Sequence, residues 1–227
     1  MSMSGKKDAA LGHEIKAHLA LHNVESPIDF SVYNSTTADE KQEIISAHML
    51  EILHTLGFDM SNDSVQDTHQ RVAKMWVKET MSGLDYNNFP KVMCFENKFK
   101  SAGMVVEHDV QSMSLCSHHL VTIDGLATVA YIPKDKVIGL SKINRVVEFF
   151  SRRPQEAERL TLQIYYALQY ILGTDDIAVF INGVHYCVKS RGVGDSNSST
   201  STVKLGGLFH DDAQVRAEFY GIINKTK

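Results

Sequence analysis

The feature that most limits the fold is a change of hydrophobic period near residue 91. Before it, Ile44, Ile45, His48, Met49, Ile52, Leu53 and Leu56 recur at helical spacing, behind a Thr37/Glu40 capping box and ahead of Gly57. A second helix is expected over residues 64–81, carrying Val72, Met75 and Trp76 and stopping at Ser82-Gly83. Beyond the change, Val121, Ile123, Ala127, Val129 and Tyr131 alternate with Thr122, Asp124 and Thr128, the pattern of a strand. Asp124-Gly125 inside that alternation reads as either a tight turn or a bulge.

Helical spacing returns over residues 142–151 and again after Pro154, which suits a first helical turn. There Leu160, Ile164, Leu168, Ile171 and Leu172 form one stripe, ended by Gly173. Residues 177–189 read as strand, 196–202 as a Ser/Thr-rich stretch, 203–209 as a last strand and 211–224 as a terminal helix. This order predicts an α+β fold with an antiparallel sheet: a helical region over residues 1–90, then a sheet-bearing domain over 91–227.

At 43% apolar and 22% charged, the chain has the balance of a globular protein. Its net charge of -4 provides no overall basic field for nucleic acid or an anionic membrane, so any phosphate site must be a local cluster of cations. The apolar runs fall well short of the roughly 20 residues that span a bilayer. Residues 1–8 are polar and lack a secretory core, which makes the cytoplasm the expected compartment. The three cysteines, Cys94, Cys116 and Cys187, are read as reduced thiols, with Cys94 a small buried hydrophobe in the run Val92-Met93-Cys94-Phe95. His13, His18, His22, His48 and His54 are assigned to surface or ordinary packing.

Cys116-Ser117-His118-His119 offers a thiolate and, three residues on, an imidazole, a mixture that favours zinc. In His185-Tyr186-Cys187, strand alternation would set His185 and Cys187 on one face. Cys116, His119 and Cys187 would then be three ligands with a fourth position for water, the form of a catalytic zinc. His118 and His185 remain as proton carriers, unless one of them closes a four-ligand structural site. Ser141, Lys142 and Arg145 open a helix whose free N–H groups favour an anion, and Arg191 follows the second ligand segment. A solvated basic surface is the alternative. Glu158 suits the first turn of its helix in any case.

Three stretches together resemble the GTP cyclohydrolase I family: Cys116-Ser-His-His-Leu-Val-Thr-Ile-Asp-Gly, Gly139-Leu-Ser-Lys-Ile-Asn-Arg and Val184-His-Tyr-Cys-Val-Lys-Ser-Arg-Gly-Val193. The resemblance runs over about residues 41–219 and includes Leu205-Gly-Gly-Leu-Phe. It implies the tunnelling fold, in which antiparallel sheets of several subunits join into a barrel with helices outside. It also implies a homodecamer of two stacked rings with sites at subunit interfaces. Carried over by position, Cys116, His119 and Cys187 would hold one zinc ion per chain, His118 would protonate the purine of GTP, and His185 would act in later steps. Glu158 would pair with the guanine edge. Ser141, Lys142, Arg145 and Arg191 would bind the triphosphate, with Arg71 supplied by a neighbouring subunit. Neither nucleic acid nor membrane is an expected partner.

The chain departs from the family pattern at Ser117, where Glu is usual, at Ala157, where bacterial relatives often have Gln, and at His69, where Pro is usual. These departures keep open a second reading, a zinc- and nucleotide-binding relative with weakened or no catalysis.

Overall fold

A computed structural model describes residues 5–225, so the first half of the polar stretch 1–8 lies outside the described residues. Residues 27–82 form one compact unit, and residues 5–26 with 83–225 form another.

The unit of residues 27–82 holds α2 (Phe30–Tyr33), α3 (Ala38–Thr55) and α4 (Thr68–Lys74); α1 (Ala9–Leu21) belongs to the other unit. The capping box is formed: the Glu40 N–H donates to Thr37 Oγ1 at 3.2 Å, and the Thr37 N–H donates to Glu40 Oε2 at 2.7 Å. Gly57, at φ 82°, ends α3 where a side chain would be strained. Of the apolar stripe on α3, only Leu53 is buried, while Ile44, Ile52 and Leu56 stay half or more exposed. The second helix starts four residues later than its periodicity predicts. Asn62 Oδ1 captures both the N–H and the hydroxyl of Ser64, an alternative to helical bonding. Past Lys74 the helix widens into a π-type segment, Met75–Thr80.

The larger unit is built on a five-stranded sheet. Its strands are β2 (Val105–Cys116), β3 (Thr122–Tyr131), β5 (Pro154–Gln155), β6 (Ile177–His185) and β7 (Thr200–Leu205), in the order β5-β2-β3-β6-β7. All pairs are antiparallel except β2 with β5. A separate ribbon pairs β1 (Cys94–Glu96) with β4 (Lys136–Ile138).

Helices α5 (Leu140–Ser151) and α6 (Ala157–Leu172) contribute buried faces to the core, and the whole predicted α6 stripe is buried. Each such side chain adds about 1.5–3 kcal/mol of transfer free energy. Gly173, left-handed at φ 67°, ends α6 as expected. Helix α1 (Ala9–Leu21) packs on α6: Ile15 and Leu19 are fully buried, and the His22 ring stacks on Tyr166 at 3.9 Å. That is ordinary packing for His22, as the sequence suggests.

Several local expectations are corrected. Asp124-Gly125 is neither turn nor bulge. Gly125 pairs with Ser112 on one side and Gly183 on the other, and a Cβ there would lie 3.0 Å from the Ser112 carbonyl oxygen. The bulge lies instead between Glu107 and Val110, with Asp109 at φ 51°. The β3 alternation fails after Ala127 because Ala130 joins Ala178, Phe209, Phe219 and Ile223 in a second cluster, so both faces are covered there. Pro154 does not open α6; it is drawn into parallel pairing with Leu115. The last strand ends at Leu205, and Gly207 at φ 47° turns the chain into α8 (Leu208–Asp211) and then α9 (Ala213–Lys225).

Candidate metal centre

Cys116 closes β2, and the chain returns as β3 after five intervening residues. Both ends of this turn are tied by backbone bonds. The Cys116 N–H donates to Val121 O at 2.7 Å, the Leu120 N–H to Cys116 O at 2.8 Å, and the Ser117 N–H to Gln155 O at 3.0 Å. Leu120 adopts φ 52°, a left-handed conformation that costs a branched residue on the order of 1–2 kcal/mol. The turn therefore lifts His118 and His119 to the exposed edge while Cys116 stays buried.

The second ligand segment differs from its expected form. Strand β6 stops at His185, and Cys187 lies in the short helical turn α7 (Tyr186–Lys189). Alternation on a strand is therefore not what brings Cys187 to the site. The β3–β6 pairing sets His185 opposite Ile123, at the edge of the ligand turn, and the helical turn then swings Cys187 inward.

One ligand atom each from Cys116, His119 and Cys187 lies within 4.8 Å of the others. A tetrahedral zinc, with bonds of about 2.0–2.3 Å, holds its donors roughly 3.3–3.8 Å apart, so small side-chain rotations suffice. Two sulfurs and one imidazole also match a zinc donor set.

Burial pushes the Cys116 thiol up, but hydrogen bonds from the His118 backbone and ring, from His119 and from Cys187 outweigh it and bring the thiol down to about 6. Burial and the neighbouring Cys116 push Cys187 the other way. One thiolate thus forms readily and the other keeps its proton until a cation replaces it. The expected non-ligand, Cys94, is half-buried in β1, its thiol raised by burial.

His118 stands beside the group, its Nδ1 3.7 Å from Cys116 Sγ. His185 is half-buried. Burial lowers its pKa and the Glu158 carboxylate, from the first turn of α6, opposes that shift. The Glu158 carboxylate is thus near enough to His185 to act on its charge.

The cations are more scattered. Arg191 Nη1 donates to His119 Nε2 at 2.7 Å, which puts it at the rim of the metal group. Ser141, Lys142 and Arg145 lie in the first two turns of α5, which begins at Leu140. The Arg145 guanidinium packs against Gly5, beside a small cavity also lined by Lys6, Lys7 and Glu148. Arg71 belongs to residues 27–82 and pairs with Asp67 at 3.6 Å, with 70% of its side chain exposed.

The family model for GTP cyclohydrolase I matches residues 45–224, four fifths of the chain. The chain belongs to the GTP cyclohydrolase I family. It is 53% identical to the GTP cyclohydrolase 1 of Aeromonas salmonicida over 207 residues, 91% of this chain and 94% of that relative. It is 52% identical to the enzyme of the same name from Vibrio cholerae over 217 residues, 96% and 98% of the two chains. The match to the GTP cyclohydrolase I family spans both ligand segments, and also α4 with Arg71.

One contributor escaped the sequence reading. Gln155, whose carbonyl holds the ligand turn, sits in a two-residue strand between helices, where no periodicity can mark it.

Proposed function

We infer that the chain catalyses its family's reaction: hydrolytic opening of the imidazole ring of GTP at C8, release of formate and closure to 7,8-dihydroneopterin triphosphate. The observation that carries this reading is the convergence of Cys116, His119 and Cys187, with His118 beside them, in a chain of this family. Zinc is the metal that suits these donors, and when bound it supplies a water acidic enough to attack near neutral pH.

The chain's own residues supply the rest. His118, exposed at the turn, donates a proton to N7 of guanine, which makes C8 electrophilic; one water adds at C8 and the C8–N9 bond breaks, leaving a formyl group on N7, and a second water cleaves the remaining C8–N7 bond to release formate. His185, kept mostly neutral by burial, accepts and returns protons during the sugar rearrangement that follows. Glu158, in the first turn of α6, would accept hydrogen bonds from the guanine edge and orient the ring. Ser141, Lys142, Arg145 and Arg191 hold the triphosphate as a handle that sets the register of the base.

The site is shared between subunits of a homo-oligomer, a decamer on the tunnelling fold, with Arg71 delivered from a neighbour. The exposed Arg71 and the uncovered apolar stripe of α3 support this assembly. Residues 91–227 are the catalytic domain in this reading. Among the described residues no helix is long and apolar enough to cross a membrane. Together with free cysteines at Cys94, Cys116 and Cys187, this suits a cytoplasmic enzyme.

Incubation of zinc-loaded protein with GTP, scoring formate and a fluorescent oxidised pterin, tests the reading. Equimolar formate and pterin are expected, and both should vanish with a strong chelator and return with zinc. Metal-loaded oligomer that binds GTP and releases no formate would establish the non-catalytic alternative instead.

A further inference from the structure

Beneath the ligand turn lies a buried polar network that the reaction does not use. Gln155 and Gln163 are both buried, at 1% and 0% exposure, and Arg153 is fully enclosed. Gln155 Nε2 donates to Phe150 O at 2.7 Å and to Gln163 Oε1 at 2.8 Å. Gln163 Nε2 in turn donates to Val24 O at 2.8 Å and Ser26 Oγ at 3.3 Å. Arg153 Nη1 donates to Ser26 Oγ and Tyr86 OH, its Nη2 donates to Gly83 O, and Glu25 provides the counter-charge at 3.6 Å. The rings of Phe149 and Phe150 flank the guanidinium, each centroid 4.9 Å away.

Directly after Arg153 comes the two-residue strand β5, which pairs Pro154 with Leu115 and Gln155 with Cys116. A strand this short has little backbone ladder of its own, and Pro154 has no N–H to give it. What holds it is the side-chain bonding on either side. Past this pairing the Gln155 carbonyl accepts the N–H of Ser117, the residue between Cys116 and His118.

We propose that Gln155 is a positioning residue for the metal: its side chain, through Phe150 and Gln163, fixes the carbonyl that sets the geometry of the Cys116–His119 turn. Its side-chain amide is none of the candidate donors and bonds to Phe150 and Gln163 instead. Its effect passes through the backbone, as groups behind metal ligands commonly act. Arg153 secures the same segment from the other side, using Ser26 and Gly83, the residues at which the chain passes into and out of residues 27–82. The proposal rests on the reading of Cys116, His119 and Cys187 as metal ligands.

The test replaces Gln155 by Met, close in volume but without donor or acceptor, in the full-length assembled protein. Zinc release to a chromophoric chelator should accelerate about 10-fold. The cobalt-loaded protein should show altered thiolate charge-transfer and ligand-field bands. Phe209→Leu, in the second cluster on the same sheet, is the stability control: it should lower the melting temperature and leave release and spectrum unchanged. If Gln155→Met does not fold, Gln163→Met decides by the same readouts, with a smaller acceleration expected because the Phe150 bond survives. Wild-type release and spectrum in a folded Gln155 or Gln163 variant would overturn the proposal, as would equal acceleration in Phe209→Leu. A wild-type protein that binds no zinc would instead remove the underlying ligand assignment.

Discussion

Cys116, His119 and Cys187 come within 4.8 Å of one another inside a single chain, whereas Arg71, Arg145 and Arg191 each face a different partner: Asp67, Gly5 and His119. The metal group is assembled by adjacent strands. Cys116 ends β2, β3 pairs with both β2 and β6, and Cys187 lies in the helical turn that follows β6. The cations come from a helix start, the loop after α7 and the other compact unit. A metal site needs its donors held to a fraction of an ångström, and a sheet register delivers that. A triphosphate is long and flexible and can be gripped by charges brought together on assembly.

This contrast is broken most severely at the metal. Cys187→Ser should lose bound zinc and all measurable formate release, while Cys94→Ser should keep both. Metal analysis beside the formate assay checks this, and equal loss from the two substitutions would refute the assigned donor set. The next largest effect separates donor from proton carrier. His118→Ala should retain its zinc and slow ring opening by about 10²–10⁴-fold, the range of a lost general acid. If zinc is lost instead, the adjacent histidines His118 and His119 have exchanged roles.

The cation side should respond more gently. Arg71→Ala should raise KM for GTP about 10-fold, roughly one charge-assisted hydrogen bond. Mixing Arg71→Ala chains with Cys187→Ser chains should restore part of the activity, since some interfaces then combine an intact metal group with an intact arginine. No recovery after verified subunit exchange would place Arg71 in the site of its own chain. The smallest effect is expected at a helix start: Thr37→Ala removes one half of the capping box and should cost about 1 kcal/mol in chemical denaturation, with KM unchanged. A raised KM in that variant would tie the stability of α3 to substrate binding.

The sequence alone determined whatever depends on neighbours within a few turns. The Thr37/Glu40 cap, the α6 stripe from Leu160 to Leu172 and the stop at Gly173 are local effects, and the structure reproduces them. The donor types at Cys116, His119 and Cys187 were also legible, because few residues can bind a borderline cation. Tertiary structure decided what depends on distant partners. Cys187 reaches the metal group from a helical turn, Pro154 is recruited to a sheet edge, and Gly125 is packed between two strands. Gln155 gains its place only because Leu115 and Cys116 pass beside it. Periodicity records which face of an element is apolar, but a two-residue strand has no period. Its position follows from hydrogen bonds to residues far along the chain.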